Sequence, residues 1–321
     1  MHLIGVTMVR NESDIIEAFV RHNLSFLDGL TIVDHGSIDG TAEILANLQS
    51  EGLPLRVEFE ANPSYRQSQI MTALTRDALA RDGADFVFAL DADEFLKVES
   101  RSELEHVLAE VPPGWHAAMH WLTYVPDDFA VAGGAFGRGH LWWRVKTERQ
   151  ALRKVIAGRA LIGRPGDVVT KGNHHIRNPA TARKDWLPRA LLRPEVVALA
   201  HCPVRSRTQL EGKTIVGYLA HLATQHDDPL ESHHRRALYN ELRAGAMLTE
   251  ERLREIACNY GLPREDWRPP SEIQLVEDPV PLVFEQRYHV SVAPTSFQLL
   301  LRFTEELIAA FVADKKANAA T

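Results

Sequence analysis

Short apolar runs alternate with amphipathic helical patterns through the first hundred residues, and few folds accommodate that rhythm. Strand-like runs lie at Leu3 to Val9, Leu30 to Asp34, Leu55 to Phe59 and Phe86 to Asp91. Between the first two, Ile15, Ile16, Phe19, Val20, Asn23, Leu24 and Leu27 recur at helical spacing, which predicts a helix over Asp14 to Phe26. Ile44, Leu45 and Leu48 mark a second helix from Thr41 to Leu48. Ile70, Met71, Leu74, Ala78 and Leu79 mark a third, with Gly83 as its stop. The order βαβαβαβ is how a parallel sheet with crossover helices is written in sequence.

The 321 residues suit one large α/β domain, or one domain with an appendage. With 45% hydrophobic and 25% charged residues, the chain is neither disordered, nor collagen-like, nor a disulfide scaffold. Lys plus Arg number 36 against 43 Asp plus Glu, a net charge of -7 and the wrong sign for a general nucleic-acid binder. Cys202 and Cys258 cannot build a four-cysteine zinc site or a disulfide framework, which fits a reducing cytoplasm. The first residues read as a strand and not as a signal segment, and no stretch reaches the roughly 18 to 20 apolar residues that cross a bilayer. A soluble, cytoplasmic protein is expected, with peripheral membrane contact as the limit.

Beyond Trp115 the pattern loosens. Ala117 to Tyr124 reads as a strand, Gly133 to Gly139 as a glycine-rich loop before the apolar segment Leu141 to Val145, and Arg149 to Arg193 as long basic loops over a site. Leu210 to Leu222 and Leu238 to Tyr260 look helical, Pro263 to Pro281 connects, and Ser296 to Asp314 forms a final helix. That helix carries Phe297, Leu300, Leu301, Phe303, Leu307, Ile308 and Phe311, a stripe expected to pack on the core in preference to a membrane or partner.

The densest chemistry is Phe86-Val87-Phe88-Ala89-Leu90-Asp91-Ala92-Asp93-Glu94-Phe95. Five apolar residues make a strand buried on both faces, and three carboxylates follow at its carboxyl end, where open α/β sheets bind ligands. Crowded carboxylates repel one another and call for a cation. A hard divalent ion such as Mg2+ or Mn2+, bridging to substrate phosphates, suits them. The plain alternative is an acidic turn in which Asp91 or Asp93 caps the next helix. A second cluster, Asp34-His35-Gly36-Ser37-Ile38-Asp39-Gly40-Thr41, and a third, Arg10-Asn11-Glu12, stand at two further strand ends. Each reads equally as a capped turn or as a contact to a nucleobase. Polar clusters at three of the four strand ends are what a nucleotide pocket requires.

Taken in order, Met8-Val9-Arg10-Asn11-Glu12, Val33 to Thr41 and Leu90-Asp91-Ala92-Asp93-Glu94-Phe95 resemble glycosyltransferase family 2, in its bacterial branch with an Asn-Glu start. The resemblance covers about the first 125 residues. It implies an α/β GT-A fold, a Rossmann-like and mostly parallel sheet flanked by helices, with residues 1–205 as the catalytic domain and 206–321 as a mainly helical extension. It also implies a nucleoside diphosphate sugar donor, UDP by default, a divalent Mn2+ or Mg2+ ion, and transfer with inversion to a saccharide or other hydroxyl acceptor. On it, Arg10, Asn11, Glu12, Asp34, Gly36, Arg66, Asp91, Arg205 and Lys213 line the donor, with Asp34 on the base and Arg205 and Lys213 on the diphosphate. Asp91, Asp93, His201 and His174 are the metal ligands. His201-Cys202-Pro203-Val204-Arg205-Ser206 with Gln209 and Lys213, and Gly172-Asn173-His174, are similar to elements of the same branch. The chain departs from the common pattern at His35, where a second Asp is usual.

Inversion needs one general base, for which Asp127, Asp128 and Asp185 are the candidates. The rivals are a haloacid-dehalogenase-like phosphohydrolase, whose Asp-x-Asp follows the first strand and continues to Thr, and a catalytically silent nucleotide-binding protein. Gly212-Lys213-Thr214 lacks the earlier glycine of a phosphate-binding loop, because Arg207 stands there. His226-Asp227-Asp228 with His233 and His234 reads as a solvated turn.

Overall fold

The computed structural model describes residues 1–129, 136, 138–149, 152–224, 233–282, 284–288, 290 and 293–319. Its elements are β1 (Leu3–Val9), α1 (Ile16–Asn23), β2 (Gly29–Asp34), α2 (Thr41–Ser50), β3 (Leu55–Phe59), α3 (Gln67–Ala80), β4 (Phe86–Ala89), β5 (Glu94–Lys97) and α4 (Arg101–Ala109). They continue with β6 (His116–Val125), β7 (Trp143–Val145), β8 (Arg153–Gly158), β9 (Val168–Val169), β10 (Ile176–Arg177), β11 (Arg189–Leu191) and β12 (Ala198–His201). Helices α5 (Arg207–Leu222), α6 (His233–Arg243) and α7 (Glu250–Cys258), strand β13 (Leu275–Glu277) and helix α8 (Ser296–Ala319) complete them.

Strands run β13-β7-β6-β8-β4-β1-β2-β3 across one sheet, with β5, β11 and β12 attached beside β6. From β4 to β3 every pairing is parallel. Antiparallel β8 then joins β4 to β6, and β13 closes the far edge on β7. Burial explains why the parallel half forms. Leu3, Leu30, Ile32 and Phe88 pack with α1, α2 and α4 on one face, while Ile4, Val6, Val33 and Val87 pack with Met71, Leu74 and Ala78 of α3 on the other. Burying each such side chain contributes about 1.5–3 kcal/mol. The expected α/β architecture, a Rossmann-like parallel half flanked by helices and followed by more helices, is thus the observed one.

Three expectations need correction. The basic stretch from Arg149 to Arg193 is not only loop, because Arg153-Lys154-Val155-Ile156-Ala157-Gly158 forms β8 in the middle of the sheet. The segment Leu238 to Tyr260 is two helices. Gly245 takes φ 88° in the left-handed region and Thr249 accepts from the Arg252 N–H, so one helix stops and a capped one starts. The apolar stripe of α8 is only partly core: Leu299 and Phe303 are buried against Val216 and Ala220 of α5, while Phe297, Leu301, Ile308 and Phe311 stay exposed. Among the described residues no helix is long and apolar enough to cross a membrane. Residues 133–135 and 137 of the glycine-rich stretch, and His226, Asp227 and Asp228, lie outside the described residues.

Candidate functional site

At the end of β4 the chain turns through Leu90 to Asp93 and re-enters the sheet as β5, which pairs antiparallel with β12. That register sets His201 opposite Glu94, and the Cys202 N–H donates to the Asp93 carbonyl across 2.9 Å. The Asp-x-Asp segment and the His-Cys-Pro-Val-Arg segment, more than a hundred residues apart, are therefore joined by backbone.

Around this junction lies a buried lattice of opposite charges. Lys213 Nζ on α5 donates to Asp93 Oδ2 across 2.5 Å. Arg205, 1% exposed, donates through Nε to Asp14 Oδ2 at 2.6 Å and pairs through another nitrogen with Glu12, while Nη1 lies 3.9 Å from Asp93 Oδ2. Lys154, also 1% exposed, bridges Asp91 and Glu94, lying 2.8 Å from Glu94 Oε1. Asp91 Oδ1 accepts from Gln67 Nε2 at 3.1 Å and from Asn173 Nδ2 at 3.0 Å, and Glu94 Oε2 accepts from the Asp91 N–H at 2.9 Å.

The protonation pattern follows from this packing. Burial alone would raise the Asp93 carboxyl, yet the Lys213 ammonium and Arg205 guanidinium bring it well below the usual range. Burial likewise works against Asp91, but Lys154 holds it ionised. Glu12 and Glu94 go the other way: burial lifts them to about 7 and about 8 despite Arg205 and Lys154 beside them. The His201 imidazole is pushed down by burial to about 3 and is neutral, as is His174 at about 4.

His201 stacks on Trp121 with ring centres 4.1 Å apart, and its Nε2 faces Asp93 Oδ1 at 3.6 Å, beyond hydrogen-bond reach. Its buried Nδ1 has no hydrogen-bond partner among the described residues. Asp93, Glu94 and His201 each bring one ligand atom within 4.8 Å of the others. The Asp93 carboxylate and the neutral His201 imidazole, with Glu94 once an ion displaces its proton, are a donor set that Mn2+ or Mg2+ accepts. The residues present therefore fit a divalent ion. His174 stands one step away: its Nδ1 lies 2.8 Å from the Arg153 carbonyl and its ring meets the edge of Trp121.

The other two strand ends are built as polar turns. Asn11, at φ 56°, donates its N–H to Ser37 Oγ and accepts from the Ile38 N–H through Oδ1, both at 2.9 Å. Asp34 Oδ1 accepts from the Ser37 N–H at 2.9 Å, while its buried Oδ2 and His35 Nε2 have no partner among the described residues. Gly36 holds φ 75°, a conformation that a side chain would strain. Arg10 turns to α8, pairing with Glu306 at 2.5 Å and lying 4.7 Å from the Phe303 ring centre. Arg66 sits at the surface with Gln69 Oε1 at 2.8 Å.

The base candidates are spread out. Asp127 and Asp128 are exposed and follow β6, whose Thr123 is in register with His201. The exposed Asp185 lies on a separate turn whose carbonyl accepts from Arg164 at 2.6 Å. Sequence reading missed Asp14, Gln67 and Lys154, and gave Asn173 no role beyond its place in the Gly172-Asn173-His174 element. For Lys154 a signal existed, since it interrupts a short strand-like run; for the others no spacing rule applied.

No protein-family model matches the chain, and no curated protein does. Among solved structures it is similar to TarS of S. aureus, at 12% identity over 83% of this chain and 46% of that chain, with a TM-score of 0.39. A second likeness is to the glucosyl-3-phosphoglycerate synthase from Mycobacterium tuberculosis in complex with Mn2+, uridine diphosphate and glucosyl-3-phosphoglycerate. There the identity is 22% over 37% of this chain and 43% of that chain, with a TM-score of 0.25. The chain thus spans less than half the length of either protein.

Proposed function

We propose that the protein transfers a glycosyl group, with inversion, from a nucleoside diphosphate sugar, a UDP-sugar by default, to an acceptor hydroxyl. One observation carries this reading: Asp91 and Asp93 share a buried cluster at a strand end with the cations Lys213 and Arg205 and the neutral His201. Carboxylates set among fixed cations form a site for a polyanion and its counter-ion, where developing negative charge is stabilised without reorganisation.

In the reaction the acceptor oxygen attacks the anomeric carbon and its proton passes to a base. The bond from that carbon to the diphosphate oxygen breaks, and the electron pair leaves with the diphosphate. Lys213 and Arg205 face the departing charge, and Lys154 keeps Asp91 ionised and in place. A divalent ion held by Asp93 with His201, Glu94 or Asp91 would add positive charge at the same diphosphate. Asp34, with Gly36 and the Arg10-Asn11-Glu12 turn, supports recognition of the base. Asp127 and Asp128, beyond the strand beside His201, are better situated as the base than Asp185.

The test is a thermal-shift panel of UDP-, GDP-, CDP- and dTDP-sugars with and without Mn2+, followed by product analysis with the stabilising donor. The reading predicts stabilisation by one nucleoside diphosphate sugar and release of its nucleoside diphosphate. Phosphate release from simple phosphomonoesters, with no effect of any nucleotide sugar, would contradict it.

A further inference from the structure

Next to His174 opens a cavity of about 240 Å³ lined by Arg153, Thr170, Lys171, His175 and Arg177. Arg189 reaches into the same group, with Nη1 at 3.4 Å from His175 Nδ1. Among the described residues no carboxylate lies within ion-pair distance of Arg153, Arg177, Arg183 or Arg189, whereas Lys154, Arg205 and Lys213 in the neighbouring cluster are each paired. Arg153 Nε is buried and has no hydrogen-bond partner among the described residues. Burial and then the neighbouring guanidiniums Arg153 and Arg183 pull Arg189 below the ordinary arginine range, a sign of cations crowded without a counter-charge.

The cavity adjoins the carboxylate cluster. Asn173, held at φ 59° beside His174, donates to Asp91, and the Trp121 ring touches both His174 and His201. Asparagine adopts the left-handed region more readily than other side chains, which suits it to this tight turn. Here it lets one short turn serve the cluster with Asn173 and the basic cavity with His174.

We propose that this cavity binds the phosphate group of an anionic acceptor, so that the acceptor hydroxyl is presented to the donor across the Trp121–His174 wall. Arg153, Arg177 and Arg189, none with a carboxylate at ion-pair distance among the described residues, match a dianion, and guanidiniums bind phosphate oxygens in pairs. That the ligand is an acceptor rests on the glycosyl-transfer reading; the anion site itself does not.

The experiment titrates inorganic phosphate into the full chain at constant ionic strength, with and without saturating UDP and Mn2+, and titrates UDP in parallel. Arg153→Gln and Arg177→Gln, the second at an exposed position that leaves the core untouched, should each weaken phosphate binding at least fivefold and the pair at least tenfold. Their UDP affinity should stay within twofold of the parent, and Lys213→Ala should bind phosphate like the parent in the presence of UDP. The proposal is overturned if the parent binds no phosphate once UDP is present, or if the Arg variants bind it unchanged. Loss of UDP binding by the parent with phosphate binding intact would strike the donor reading and leave the anion site standing.

Discussion

Lys213 Nζ reaches Asp93 Oδ2 across 2.5 Å and so ties helix α5 to the turn that follows β4. The pair places a cation from the helical part of the chain on the carboxylate that the parallel sheet presents. If Lys213 stabilises a leaving diphosphate, Lys213→Met should lower kcat/KM for the donor by about 10²-fold, as loss of one charge-stabilising group does. Steady-state release of nucleoside diphosphate reads this directly, and a change under threefold would remove Lys213 from the site.

Arg205 makes a structural prediction. It is 1% exposed and faces Glu12 and Asp14, so Arg205→Ala leaves two acidic groups without their cation. Breaking a buried ion pair by removing one partner costs about 3–5 kcal/mol. Urea unfolding should show a loss in that range, and a loss below 1 kcal/mol would mean the lattice contributes little to stability.

His116 makes a pH prediction far from the carboxylates. Burial first, then Arg189, lowers its imidazole from 6.5 to about 4. Between those values the unfolded chain binds a proton that the folded chain does not, so stability falls as pH falls from 6.5 toward 4. Each pH unit of that window is worth about 1.4 kcal/mol for one group. His116→Gln should therefore flatten the acid limb of the stability curve by about 3 kcal/mol, and an unchanged limb would contradict the assignment.

Phe303 tests the docking of the last helix. It is buried against α5 and its ring lies under Arg10. Phe303→Ala should cost about 3–5 kcal/mol, while Phe311→Ala, at an exposed position, should cost under 0.5 kcal/mol. Equal costs for both would mean that α8 does not pack as described.

The parallel half of the fold was legible because its strands are buried on both faces and its helices on one, so Leu3 to Val9 and Ile15 to Leu27 carry different periods. β8 was hidden because Arg153 and Lys154 open it with charge, and the carboxylates that neutralise Lys154, Asp91 and Glu94, are remote in sequence. The split between α6 and α7 turned on one glycine, Gly245, inside an otherwise helical pattern. Residue types at the strand ends were legible as well, since Asp34, Asp91 and Asp93 follow apolar runs. Parts of their surroundings were not: Lys154 and Gln67, which bind Asp91, and Asp14, which binds Arg205, come from three other segments, and no local rule links them before the chain folds.

The most direct test is calorimetric titration of UDP, in the presence of Mn2+, into the parent protein and into Asp93→Asn, with circular dichroism to confirm that both are folded. The account predicts that the parent binds and that the variant, nearly isosteric but lacking the negative charge that anchors the cation, binds at least a hundredfold more weakly. Equal affinity in the two proteins would contradict the claim that Asp93 lies at the centre of the donor site.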